Sequence, residues 1–164
     1  VYVPPKQITD FLGIDENSFV FSFIISSLGG FSSIFSTSVY ATLFTLVNAG
    51  MNPFILAISA GLGLSVGDSI FFLLGHKGKE INLGKLQKLA KKISDFIQNK
   101  KKNTIKIFVF LYIAFTPFPN DIIMIPLGYS RIRYHQIIFE VIIGNIIAVL
   151  IFLFISMWTY NNFF

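Results

Sequence analysis

Residues 105–128 read IKIFVFLYIAFTPFPNDIIMIPLG. Both ends of the stretch are apolar, but Pro117, Pro119, Asn120 and Asp121 occupy its middle and Pro126 follows soon after. Proline lacks the amide hydrogen of a helix interior and clashes with the preceding turn, so no uninterrupted helix is expected there. About ten apolar residues precede the break, roughly 15 Å at helical rise, which is half of a hydrocarbon core of about 30 Å. The expected path is re-entrant: into a bilayer, a turn near its midplane, and back to the same side. Charge placement agrees. A full crossing would carry Arg131 and Arg133 away from the lysine-rich loop that precedes the stretch, whereas a re-entrant path keeps all of these cations together, as the positive-inside rule prefers.

The same anatomy occurs earlier. Residues 19–49, FVFSFIISSLGGFSSIFSTSVYATLFTLVNA, have two apolar arms around a middle rich in serine and glycine, including Ser36 and Ser38. The stretch is too long for one span and too short for two with a loop. Irregular backbone at membrane depth persists only where protein or a wet cavity surrounds it. Each broken stretch is followed by an unbroken apolar run, at 53–75 and at 135–158. The first carries one acid, Asp68, and a strip of small residues that includes Gly61, Gly63, Ser65 and Gly67. Such a strip lets another helix approach closely. The second carries Glu140 near its start and ends on Trp158, an interfacial anchor.

The repeat is visible in the letters too. Gly50 precedes the pair Gly67-Asp68, and Gly128 precedes Gly144-Asn145, at almost equal spacing. Two units, each a re-entrant hairpin (19–49, 105–128) plus a transmembrane helix (53–75, 135–158), predict an all-α polytopic membrane protein built as an inverted repeat. In secondary transporters of that architecture the substrate site lies where the broken segments meet.

Composition supports a membrane setting. Of 164 residues, 54% are hydrophobic and 13% charged, against about 25% charged in ordinary soluble domains, and the mean hydropathy is +0.70. With no cysteine and two histidines, His76 and His135, a disulfide framework or a metal centre lacks ligands, and no cofactor is expected. Residues 1–18 are polar, with Pro4, Pro5, Asp10, Asp15 and Glu16 in place of the apolar core of a cleavable leader. An enzyme is not expected either: His135 and Glu140 stand five residues apart, off the positions where helical neighbours meet.

The net charge of +5 is concentrated between Lys77 and Lys106, where ten of the thirteen basic residues fall. The positive-inside rule assigns this loop, 76–104, to the cytoplasm and the protein to the cell membrane. Within it Leu83, Leu86, Leu89, Ile93, Phe96 and Ile97 recur at helical spacing, which predicts an amphipathic helix over 83–98. Its lysines, Lys85, Lys88, Lys91 and Lys92, suit either anionic lipid headgroups, together with Arg133, or the protein's own cytoplasmic face. Nucleic acid is not expected, because Phe96 is the only aromatic in the patch available for base stacking.

Among the polar residues Asp121 stands out, because a carboxylate deep in an apolar segment costs about 2.5–3.5 kcal/mol on insertion scales. It reads as a substrate or proton pathway residue, held ionised if Arg131 or Arg133 reaches it, or as the N-cap of the returning half-helix. Asp68, Glu140, Asn120, Ser36 and Ser38 are further candidates for the pathway. Pro117, Pro119, Pro126, Gly67, Gly128 and Gly144 shape the hairpins and their packing.

Two stretches, TPFPNDIIMIPLGYSRIRYHQIIFEVIIGN and NAGMNPFILAISAGLGLSVGDSIFFLLGHKG, resemble the DedA/VTT group of membrane proteins, also called SNARE-associated Golgi proteins, and within it the short YqaA-like members. The resemblance runs over about residues 20–158 and implies that Asp121 and Arg131 are the acid and the arginine of the second hairpin. It departs in the first hairpin, where Val39 or Tyr40 stands at the position of a common glutamate, and in the second, which lacks a further arginine. Relatives are similar to lipid scramblases and translocases of polyprenyl phosphate carriers. The resemblance therefore implies a translocase of phospholipid or polyprenyl-phosphate headgroups, with membrane lipids as its partners and a homo-oligomer or membrane complex as its assembly. The alternative is a non-transporting membrane subunit that docks partners or anionic lipid through the Lys-rich loop.

Overall fold

The computed structural model describes residues 18–30, 33–78, 92–95, 97, 100–116, 118–130 and 132–163. Six α-helices account for most of them: α1 (Ser18–Gly29), α2 (Ser33–Asn48), α3 (Pro53–Lys77), α4 (Lys102–Phe115), α5 (Asp121–Tyr129) and α6 (Ile138–Phe163), with a short 3-10 turn at Tyr134–Gln136. No strand occurs among the described residues. The expected lysine-rich helix over 83–98 falls mostly outside them, with Lys85, Lys88 and Lys91. Residues 92–95 and 97 are helical, Lys92 exposed and Ile97 buried.

The helix boundaries follow from local chemistry. Gly50, at φ +98°, makes the turn between α2 and α3 in a backbone region open to glycine. Asn52 then caps α3, its Oδ1 accepting from the amides of Phe54 and Ile55 at 2.9 and 3.3 Å, and Pro53 takes the first helical position, where its missing amide costs nothing. Between α4 and α5 the helix stops at Phe115 and resumes at Asp121, across the Pro-Phe-Pro-Asn segment that predicted the break.

Among the described residues only α3 and α6 are long and apolar enough to cross a bilayer, at 25 and 26 residues. They pack antiparallel: Phe54 meets Phe154 ring to ring, Gly61 lies against Ile146, and Asp68 bonds Asn145. The shorter helices lie along them in a regular way. α1 runs parallel to the first part of α3, with Ser22 bonded to Ser59 and Gly63 against the carbonyl of Phe23. α5 lies against the last part of α3, with Gly75 against Ile125 and Gly128 between Phe72 and His76. On α6 the corresponding places are filled by α4, through Lys106 to Glu140 and Ile113 to Gly144, and by α2, through Tyr40 to Phe152 and Phe44 to Tyr160. Each broken stretch thus places its first arm on the long helix that follows it and its second arm on the other long helix.

Two apolar cores result. One joins α2, α3 and α6 around Leu43, Leu46, Leu56 and Leu153. The other joins α3, α4, α5 and the start of α6 around Val109, Met124, Leu127 and Val141. The exterior is apolar as well: Leu28, Phe54, Leu73, Ile107, Phe139 and Ile155 are all more than half exposed. A soluble monomer rarely exposes so many large apolar side chains; a hydrocarbon environment accommodates them.

Candidate functional site

The two breaks meet on consecutive residues of α3. Gly30, where α1 ends, is so close to Gly67 that a Cβ on Gly67 would fall 2.5 Å from the Cα of Gly30. One residue further along α3, Asp68 receives the side chain of Asn120, the residue just before α5, at 3.0 Å. Small residues at the crossing allow this approach, and a side chain on either glycine would force the arms apart.

Asp68 anchors a network of four side chains drawn from three segments. Asn145 Nδ2 on α6 donates to Asp68 Oδ2 at 2.7 Å and to Ser65 Oγ at 3.1 Å. Asn120 Nδ2 donates to the same Asp68 oxygen at 3.0 Å and to Asn145 Oδ1 at 3.1 Å. Ser65 passes its own hydrogen to the carbonyl of Gly61. Asp68, Asn145 and Ser65 are buried. In an apolar medium a buried carboxylate survives only with such donors, so the network ties α3, α6 and the second break together.

The network forms one end of a cavity of about 1050 Å³. Its walls come from one face of α2 (Thr37, Tyr40, Phe44), one face of α6 (Ala148, Phe152, Ile155), the end of α4 and the residues before α5. Along α6 it extends from Asn145 to Ile155, roughly 15 Å at 1.5 Å per residue. One end of the cavity is thus polar and acidic, and the rest is lined mainly by apolar and hydroxyl side chains.

The structure distributes the expected site residues unevenly. Asp68, Asn120, Asp121 and Ser36 line the cavity. Ser38 is exposed and is not among its lining residues. Glu140 lies elsewhere, paired with Lys106 at 3.2 Å. Arg133 is exposed. Arg131 and Pro117 lie outside the described residues. Asp121 is the first residue of α5 and Asn120 takes the N-cap position, yet the Asn120 side chain makes no capping bond because it is turned to Asp68 and Asn145. Asp121 Oδ1 is buried with no hydrogen-bond partner. Pro119 accepts a bond from the Tyr112 hydroxyl across the break at 3.3 Å, and Pro126 lies within α5.

Three members of the site were not expected from sequence: Asn145, Ser65 and Tyr40. A signal for Asn145 existed, since it occupies in the second unit the place of Asp68 in the first. Nearby, Tyr134 bonds Ser69 at 2.6 Å and packs on Phe72. Burial raises its phenol above the ordinary value, against the opposing effect of the Ser69 bond, so it remains neutral. It fixes the turn before α6 to α3.

The family model of the VTT domain matches residues 35–157. The chain belongs to the VTT domain family. That domain is the one shared by DedA and SNARE-associated Golgi proteins, a membrane family, in agreement with the apolar exterior. The matched stretch of this VTT domain contains both long helices' meeting point, the second break and the entire polar network. No curated protein and no solved structure matches the chain.

Proposed function

We propose that this VTT domain is an integral membrane translocase that carries the headgroups of phospholipids or polyprenyl-phosphate lipids from one leaflet to the other. In this reading α3 and α6 cross the bilayer, and the pairs α1–α2 and α4–α5 are re-entrant hairpins entering from opposite faces. The basic loop between the units is cytoplasmic. No covalent bond is made or broken, so the protein is not an enzyme.

One observation carries the proposal: the two breaks converge on Gly67 and Asp68 at the polar end of a cavity of about 1050 Å³. If each hairpin reaches only part-way, the barrier to a polar group is thinned from both sides, and the cavity offers that group hydrogen-bonding partners at the point of greatest cost. The exchange of arms between the two long helices supports an inverted repeat. Asp68 and Asn145, the corresponding residues of the two units, touch each other as residues beside a pseudo-two-fold axis would.

Dithionite quenching of fluorescent phospholipids in reconstituted vesicles tests the proposal. The wild type is expected to expose inner-leaflet dye, and Asp121→Asn to slow that exposure without loss of assembly. If wild-type vesicles keep as much dye protected as empty ones, general lipid passage fails, and a docking role for the basic loop becomes the better reading.

A further inference from the structure

The second arms of the two units, α2 and α5, are held in different ways. α5 lies on α3 with backbone against backbone: a Cβ on Gly75 would fall 2.1 Å from the carbonyl oxygen of Ile125, and one on Gly128 1.9 Å from that of Phe72. α2 meets α6 through rings instead, Tyr40 on Phe152 at 4.8 Å and Phe44 on Tyr160 at 6.4 Å between centroids. The cavity opens beside this ring contact. Among the described residues, none of α5 beyond Asp121 and none of α3 beyond Phe71 lines it, so it does not continue along the α3–α5 contact.

Side-chain size accounts for the difference. Counted from the paired residues Asp68 and Asn145, Gly75 on α3 holds the place of Phe152 on α6, and Gly78 that of Ile155. Small residues let two helices approach to backbone distance, whereas the phenylalanine keeps α2 a ring away. A headgroup that reaches Asp68 along α6 and is to leave at the other face must pass the last part of α3, which ends at Lys77 beside the basic loop. That part is where α5 lies. One kind of arm is thus seen in two arrangements, parted by a cavity on α6 and in contact on α3, and in an inverted repeat the two units can exchange arrangements.

The build of α5 suits it to movement. It is nine residues long, Pro126 interrupts its hydrogen-bond ladder, and Asn120 gives it no side-chain cap. Its burial rests on Met124 and Leu127, both fully covered. We propose that α5 is the gate on the side of the basic loop, parting from α3 to let the headgroup pass from Asp68 to that face and closing behind it. The inference rests on the reading of the cavity as a lipid path and adds that passage takes two steps, past a moving helix, rather than one along a standing groove.

The chain has no cysteine, so a single introduced thiol reports alone, and it is alkylated as the thiolate, which forms only where water reaches it. Val109 on α4 is as deeply buried as Met124 and Leu127 but lies on a helix that the gate leaves in place. In reconstituted vesicles N-ethylmaleimide is expected to label Met124→Cys and Leu127→Cys at least about tenfold faster than Val109→Cys, because labelling of a buried group follows the population of its open form. Gly75→Ala, which sets a methyl against Ile125, is expected to raise the first two rates and leave the third unchanged. Protection of Met124→Cys and Leu127→Cys equal to that of Val109→Cys overturns the proposal, as does a rise on Gly75→Ala that all three thiols share. Vesicles without dye exposure in which Met124→Cys and Leu127→Cys still react faster would sink lipid passage and leave the moving helix standing.

Discussion

Asp68 and Asn145 occupy corresponding places in the two halves of the chain, each directly after a glycine of its long helix, and they are bonded to each other at 2.7 Å. The bond makes the carboxylate and the amide complementary, so the pair should tolerate exchange better than either single change. Asn145→Asp alone sets two carboxylates against each other, and Asp68→Asn alone removes the charge that organises both amides. The double exchange Asp68→Asn/Asn145→Asp restores one acceptor and one donor at the contact. A double-mutant cycle followed by thermal unfolding in detergent should return a favourable coupling of about 1–3 kcal/mol. A coupling indistinguishable from zero would mean that the contact does not hold α3 to α6.

Glycines in this fold differ in what surrounds them. A Cβ on Gly128 would fall 1.9 Å from the carbonyl oxygen of Phe72, which is backbone and cannot yield. On Gly144 it would meet the Cβ and Cγ2 of Ile113, both at 3.0 Å, a contact that a shift of a few tenths of an ångström relieves. Gly128→Ala should therefore cost about 1–3 kcal/mol by forcing α5 off α3, and Gly144→Ala clearly less. The order of the two melting points checks this, and the reverse order would show that the α3–α5 contact is not the tight one.

Removing the Tyr134 hydroxyl tests the tie between the turn before α6 and α3. Tyr134→Phe keeps the ring on Phe72, 5.0 Å between centroids, but loses the 2.6 Å bond to Ser69. The expected loss is about 0.5–1.5 kcal/mol. Ser69→Ala should cost a similar amount, and the two changes together little more than either alone.

The Lys106–Glu140 pair joins the start of α4 to the start of α6 at 3.2 Å, with the lysine side chain 40% exposed. A partly solvated pair of this kind is worth about 0.2–1 kcal/mol and is weakened by salt. Lys106→Gln should lower stability within that range at low ionic strength and by less at high. An effect that grows with salt would point to packing by the lysine stem rather than to charge.

Much of the fold was legible because proline, glycine and charge leave strong local marks. The Pro117–Asp121 segment announced the break between α4 and α5. Gly50 stood at the turn before α3, and two uninterrupted apolar runs marked α3 and α6. The site was legible in part. Asp68, Asn120 and Asp121 stood out as polar residues in apolar surroundings, whereas Glu140, equally conspicuous in sequence, sits at a helix start beside a lysine that lies 34 residues earlier in the chain. Asn145 was harder to see, since an uncharged amide in an apolar helix gives little warning and its importance comes from a partner 77 residues away. Nor does local sequence tell which arm packs on which long helix. That depends on where glycines of different segments meet, as Gly30 and Gly67 do.

The most direct test fills the cavity without touching its polar end. Ala148 lines it one helical turn beyond Asn145, and Ala148→Trp would occupy the space through which a headgroup must pass while leaving Asp68, Asn120 and Asn145 in place. Dithionite quenching in vesicles should show dye exposure by the wild type and a rate at least roughly tenfold lower for Ala148→Trp, equivalent to about 1.4 kcal/mol of added barrier, with the melting point nearly unchanged. Equal rates for the two proteins would contradict passage through this cavity.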